Sequence, residues 1–378
     1  MPRDVGFDLV HHCFVDAMGD RQKRNDVLVD AAIGRHPGPL QEDLLGQCGQ
    51  PRGRLRLASD RGVMTGVFAG GRGGRGPVGF EGGTASGATC GTLSRMTAQD
   101  RAATREFYDQ FGEAERDRLV ADVAGRVSFE VHRRFLAGFV SDGDRVLEIG
   151  AGPGRFTAEL AALGASVVVT DISPVQLDLN RKYVVGTDAE AAVVRRELLD
   201  VCDTSRYADG EFDAVVAFGG PLSYAFEETE AALRGLLRIT RPGGVVVGSV
   251  MSMLGTWRYQ LPGVVQVAAA AGEDANDLVL STGDLRHIPG AQHVCQMFRA
   301  SRVADLAFDA GGRLTALSAS NWASLGDQEA LEALERDPDR WSRFLGHEVA
   351  ACAEPGAADG GTHIIFAVEH GDRALGGV

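Results

Sequence analysis

Residues 146–154 read Val-Leu-Glu-Ile-Gly-Ala-Gly-Pro-Gly, and residues 167–171 read Val-Val-Val-Thr-Asp. Between them, Phe156 to Leu163 has the composition of a helix. The first segment is a short apolar strand that reaches an acid and runs into a glycine turn. The second is an apolar strand that ends in another acid. Strand, glycine turn, helix and strand in this order make a βαβ unit. Asp171 lies about 20 residues beyond the first glycine, the spacing at which a second-strand carboxylate meets a ribose. Glycines 150, 152 and 154 let the backbone bend sharply and let a ligand lie on bare amides. The unit therefore predicts a nucleoside-bearing cofactor.

The turn narrows the choice. A dinucleotide site spaces its glycines G-x-G-x-x-G and sets a pyrophosphate at the helix N-terminus. Here the spacing is G-x-G-x-G followed by Arg155, and Glu148 stands just ahead of the first glycine. A carboxylate there repels a pyrophosphate but suits an ammonium group. S-adenosylmethionine has an ammonium and a sulfonium and no phosphate. The stretch Glu148-Ile149-Gly150-Ala151-Gly152-Pro153-Gly154 resembles motif I of the class I S-adenosylmethionine-dependent methyltransferases, in their type 11-like, small-molecule branch.

The resemblance continues in order along the chain. Asp171-Ile172 resembles the family's ribose-binding motif, and Leu199-Asp200-Val201-Cys202-Asp203 its adenine-binding loop. Phe212-Asp213-Ala214-Val215-Val216 resembles its fourth strand, and Phe218-Gly219-Gly220-Pro221-Leu222-Ser223-Tyr224 the segment where substrate meets the methyl group. Leu236 to Val247, through Arg241-Pro242-Gly243-Gly244, resembles its helix, turn and fifth strand. The likeness covers roughly residues 100 to 370 and is best at 144–250. It implies S-adenosyl-L-methionine as cofactor, held by Glu148, Gly150, Gly152, Gly154, Asp171, Ile172, Asp200, Val201, Phe218 and Gly219.

Alternation of strands and helices implies a parallel sheet with right-handed crossovers. The expected fold is α/β: a Rossmann-like, seven-stranded, mostly parallel sheet whose last strand is antiparallel. Residues 96–143 are expected to form a helical N-terminal cap, with helices at Ala102–Phe111 and Val127–Phe139. Residues 144–250 are the cofactor-binding core. Residues 251–300 break the alternation and form a lid insertion. Residues 301–378 supply the closing helices and last strands, with Thr362 to Val368 as the final strand.

Residues 1–95 differ from the rest. Gly70 to Gly76 reads Gly-Gly-Arg-Gly-Gly-Arg-Gly, aromatics are few and apolar periodicity is poor. Such a segment buries too little to offset its chain entropy. Lysine occurs only at 23 and 182 while arginine is abundant, as in a GC-rich gene. The segment is read as a disordered Gly/Arg-rich extension or as sequence ahead of the true start, placed near Met96. An Arg-Gly nucleic-acid tether is the remaining reading.

The formal net charge is −14. Residues 1–95 carry 12 basic and 10 acidic side chains, leaving 26 against 42 for the remainder. Phosphate backbones are bound by Lys and Arg, so this body argues against a nucleic-acid substrate. The Asn/Asp-Pro-Pro-aromatic motif of amino-directed nucleic-acid methyltransferases is also absent. The six cysteines are scattered, with no C-x-x-C, which argues against a disulfide framework or zinc site and fits the cytoplasm. No run of 18 apolar residues suggests a membrane span.

Methyl transfer from a sulfonium asks the protein mainly to position and desolvate the nucleophile. An oxygen or nitrogen acceptor also has a proton to lose, which His or Tyr can take. His293 and Tyr224 are the catalytic candidates. Tyr108, Trp257, Tyr259 and His287 are the substrate-pocket candidates, with Phe107-Tyr108-Asp109 resembling the family's N-terminal Tyr-Asp element. His132, His347 and His370 have no context and are read as structural. The expected function is methyl transfer to a phenolic or quinone-like small molecule. An RNA or protein methyltransferase and a non-catalytic cofactor-binding protein are the rivals. A nicotinamide dehydrogenase is disfavoured by Glu148 and the glycine spacing.

Overall fold

The structure is a computed structural model that describes residues 98–291 and 293–370. The readings for residues 1–95 lie outside the described residues. Seven strands form one sheet: β1 (Arg145–Ile149), β2 (Ser166–Asp171), β3 (Val193–Leu198), β4 (Phe212–Ala217), β5 (Thr240–Met251), β6 (Gly312–Ala319) and β7 (His363–His370). Their order is β3-β2-β1-β4-β5-β7-β6. The pairs among β1 to β5 are parallel, whereas β7 lies antiparallel between β5 and β6, with Val247 opposite Ala367 and Leu317 opposite Phe366. This is the expected α/β architecture.

The inner strands read as near-continuous apolar runs because helices cover both faces. On one face, α6 (Thr229–Ile239) and α10 (Ala300–Asp309) bring Leu236, Ile239 and Leu306 against Leu147, Val215, Val246 and Phe366. On the other, α3 (Val123–Leu136), α4 (Arg155–Ala162) and α5 (Pro174–Val184) bring Val127, Val131, Leu160 and Leu177 against Val146, Val167, Val216 and Ile365. The edge strand β3 is different: Val194 and Leu198 are exposed, and Arg195 and Arg196 place charge where an unprotected edge would invite pairing.

Ahead of β1 stand α1 (Ala98–Phe111), the short α2 (Ala114–Arg118) and α3. The expected second cap helix begins four residues earlier than its apolar spacing suggested. The reason is the Asp122 side chain, which accepts from the Gly125 amide and caps the new N-terminus. After β5 come α7 (Met253–Tyr259), α8 (Leu261–Ala271) and α9 (Glu273–Thr282). Met253, Val279, Cys295 and Met297 make a small core of their own here, onto which Tyr224 and Met251 pack. The chain closes through α11 (Gln328–Glu335) and α12 (Pro338–Cys352). Among the described residues, no helix is long and apolar enough to cross a membrane.

Candidate functional site

The C-terminal ends of β1, β2, β3 and β4 carry Glu148, Asp171, Asp200 and Phe218 to one rim of the sheet, the side where open α/β sheets bind ligands. Gly150, Gly152 and Gly154 turn the chain from β1 into α4 with φ of +67°, +50° and +91°. A side chain at Gly150 would put its Cβ 2.7 Å from Pro221 Cγ. One at Gly154 would meet Val184 at 2.8 Å and Asn180 at 3.0 Å. The turn is thus wedged between α5 and the segment following β4, and glycine is required by space as well as by backbone conformation.

Asp171 organises this rim. Its carboxylate accepts from the Gly152 amide and from the Ser173 amide, each at 2.9 Å. Burial raises its pKa to about 6 against the pull of those amides. A carboxylate has about four lone-pair sites, so acceptor capacity remains for hydroxyls. Glu148 lies deeper than Asp171. It is buried behind the turn, where Thr157 donates to it at 2.6 Å and Asn180 in turn donates to Thr157 at 2.9 Å. Burial raises its pKa to about 8. Glu148 therefore braces α4 against β1, and its carboxyl is mostly neutral at pH 7.

The cap closes directly onto the rim. Asp109 accepts from the Ser173 hydroxyl at 2.5 Å, and Gln176 donates to the carbonyls of Tyr108 and Gly112. Arg101 ion-pairs with Asp200 at 3.0 Å and with Glu228. Glu115 Cγ lies 3.8 Å from where a Gly152 side chain would begin. Arg118 makes a two-point pair with Glu115 through Nε and Nη2, at 2.8 and 2.7 Å. Burial by itself would lower the Arg118 pKa, but the Glu115 carboxylate outweighs it and holds the guanidinium above its ordinary value. Its Nη1 makes no hydrogen bond to the described residues. Near Gly152, the buried Gln176 Oε1 is also without a partner among the described residues.

Beside the rim the two catalytic candidates meet. The Tyr224 hydroxyl lies 2.6 Å from that of Tyr108 and 2.8 Å from His293 Nε2. Phe107 packs on His293 with ring centres 4.7 Å apart. Burial lowers the His293 pKa to about 4 and raises both tyrosines above their ordinary value, so all three groups are neutral at pH 7. Tyr224 follows Pro221, the residue wedged against Gly150, in a short 3-10 turn. The glycine turn and the Tyr–Tyr–His chain are therefore mechanically joined.

The other pocket candidates are placed less tightly. Tyr259 reaches the cap, 3.4 Å from Asp122. Trp257 is 40% exposed on α7. His287 lies in a 3-10 turn after α9, with its Nε2 buried and without a hydrogen-bond partner among the described residues. Among the described residues, no hydrogen bond or ring contact ties Trp257 or His287 to Tyr108 or Tyr224. Sequence reasoning missed Glu115 and Arg118, since it gave α2 no helix. It also set aside His132, which the structure places edge-on to Phe218 at 5.0 Å, beside Phe156 and His363. Nothing in the spacing marks it, because α3, β4 and β7 meet only in the folded chain.

A methyltransferase domain family matches residues 146–244. The chain is 35% identical to a demethylmenaquinone methyltransferase of Clavibacter sepedonicus over 105 residues, 28% of this chain and 40% of that protein. It is 30% identical to the demethylmenaquinone methyltransferase of Parafrankia over 182 residues, 43% of this chain and 70% of that protein. The chain thus spans about 40% of the length of the first two such relatives and 70% of the Parafrankia protein. A solved structure of a 1,6-didemethyltoxoflavin N1-methyltransferase from Burkholderia thailandensis aligns at 16% identity and TM-score 0.44, over 74% of this chain and 93% of that one. By its matching domain and by the Parafrankia relative, this chain belongs to the class I S-adenosylmethionine-dependent methyltransferases.

Proposed function

We propose that the protein transfers the methyl group of S-adenosylmethionine to a phenolic or quinone-like small molecule. The observation that carries this reading is the wedge of Pro221 against Gly150, which sets the Tyr108–Tyr224–His293 chain against the glycine turn. On this reading Asp171 takes the ribose hydroxyls and the Gly150–Gly154 amides line the methionine portion. Asp200, Ile172 and Val201 border the base, and Phe218 and Gly219 lie by the methyl group. Arg118 Nη1 and the Glu115 carboxylate match the carboxylate and ammonium of the amino-acid end, a place the sequence had given to Glu148.

The bound cofactor supplies an activated methyl and a good leaving group. The chain's own residues do the rest. Phe107, Phe129, Phe156 and Phe218 offer ring faces and edges to a planar acceptor. Tyr108 presents its hydroxyl to the reacting atom. Tyr224 and the neutral His293 form the path by which the acceptor's proton leaves. The free thiols of Cys202, Cys295 and Cys352 fit a reducing compartment, the cytoplasm. Relatives named as demethylmenaquinone methyltransferases support a small-molecule acceptor, and the acidic body supports it over nucleic acid.

Calorimetry tests the cofactor assignment. S-adenosylmethionine should bind and NAD should not. Asp171→Ala should weaken binding by about 1.5–3 kcal/mol, the worth of hydrogen bonds to a charged group. Incubation with methyl-labelled cofactor and a cell extract should then label a small molecule. Label found only in RNA or protein would overturn the acceptor class, and tight binding without any labelled product would favour a sensor.

A further inference from the structure

His132 stands at the meeting point of three elements, and nothing in the proton path above uses it. It is buried on α3, with its ring edge-on to Phe218 at the end of β4, 5.9 Å from Phe156 at the start of α4 and 6.0 Å from His363 at the start of β7. Its Nδ1 lies 2.8 Å from the carbonyl oxygen of Ser128. A carbonyl can only accept, so the proton of the neutral ring sits on Nδ1. Nε2 is then a bare lone pair, and it makes no hydrogen bond to the described residues. Burial lowers the ring's pKa to about 4, and no carboxylate contributes to it, so the ring stays neutral. His363 beside it is neutral for the same reason. An acceptor fixed in this way takes a hydrogen bond from a neutral hydroxyl and none from a phenolate or carboxylate, which has no proton to give.

From this geometry we infer that His132 is a specificity-determining contact whose Nε2 accepts a hydrogen bond from a neutral hydroxyl of the acceptor, so that the acceptor binds with its proton on. The inference rests on the proposed small-molecule reading and deepens it by naming the protonation state of the substrate. It is separate from the Tyr108–Tyr224–His293 chain, to which the reacting proton is assigned.

The probe is 4-nitrophenol, whose phenol and phenolate differ in absorbance, compared with 4-nitroanisole, which has the same ring and no hydroxyl. Both are titrated into the full chain with and without S-adenosylhomocysteine. Wild-type protein should bind 4-nitrophenol in its colourless form and more tightly than 4-nitroanisole. His132→Asn keeps a donor for the Ser128 carbonyl and removes Nε2. It should weaken 4-nitrophenol by about tenfold and leave 4-nitroanisole unchanged. His132→Gln, with an amide oxygen near the lost nitrogen, should recover part of the loss. Binding as the yellow phenolate, equal loss for both probes in both variants, no loss for either, or no binding of either probe overturns the inference. Failure of S-adenosylhomocysteine to bind is a separate result that sinks the methyltransferase reading instead.

Discussion

Tyr224 is held from both sides, by the Tyr108 hydroxyl and by His293, and both contacts depend on its one oxygen. Tyr224→Phe removes that oxygen and keeps the ring that packs on the lid core. If the chain carries the acceptor's proton, kcat should fall by about 10²-fold or more, the ordinary worth of a positioned acid or base. Cofactor affinity measured by calorimetry should be unchanged, because Tyr224 makes no hydrogen bond to Asp171, Gly152 or Arg118. Equal losses in affinity and kcat would mean that the hydroxyl supports the fold of the rim and not the chemistry.

At the scale of elements, the site depends on a strand–helix turn pressed against a second loop. Gly150→Ala asks an L-residue to adopt φ of +67° and drives a methyl group to 2.7 Å from Pro221. The left-handed backbone alone costs about 1–2 kcal/mol, and the clash adds to it. Urea denaturation should show a loss of about 2 kcal/mol or more. Because Pro221 opens the turn that carries Tyr224, activity should fall further than stability accounts for. The cap is the other decisive element. Arg101 holds Asp200 and Glu228, while Gln176 grips the end of α1, so α1 lies across the rim that the nucleoside is proposed to occupy. Two surface clefts, of about 470 and 430 Å³, lie elsewhere, around Arg234 and His370 and around Phe226 and Met297. Neither includes the rim residues, so it is the chemistry of the rim that locates the site.

For the molecule as a whole, burial of neutral histidines sets its response to acid. His132 and His293 have pKa values lowered to about 4, and His363 to about 3, against 6.5 for a free histidine. Below pH 6.5 the unfolded chain takes up protons that the folded chain refuses, so stability falls as pH drops and the loss is complete only below about pH 3–4. Glu148 and Asp171, raised to about 8 and 6, act in the opposite sense. Their charged forms are penalised in the fold, so they favour the folded state at low pH and cease to do so as pH rises through those values. Thermal unfolding followed from pH 7 to pH 4 should show a falling midpoint, and His132→Asn should make that fall shallower. An unchanged slope would mean that His132 is protonated in the fold.

What the linear sequence determined was everything that rests on local order. The run from Val146 to Asp171 specifies strand, turn, helix and strand because apolar continuity, glycine conformations and a terminal acid act over neighbouring residues. From it follow the parallel sheet, the rim that carries Asp171 and Asp200, and the family. Tyr224 and His293 were legible as residue types beside that rim, though not as partners. Tertiary structure alone decided which polar groups meet. It turned Glu148 into a buried brace because Thr157 lies over it, and set Arg118 and Glu115 beside Gly152. It gave His132 a fixed tautomer beside Phe218. Burial and hydrogen-bond partners come from elements far apart in the chain, and it is these that shift a pKa or orient a proton.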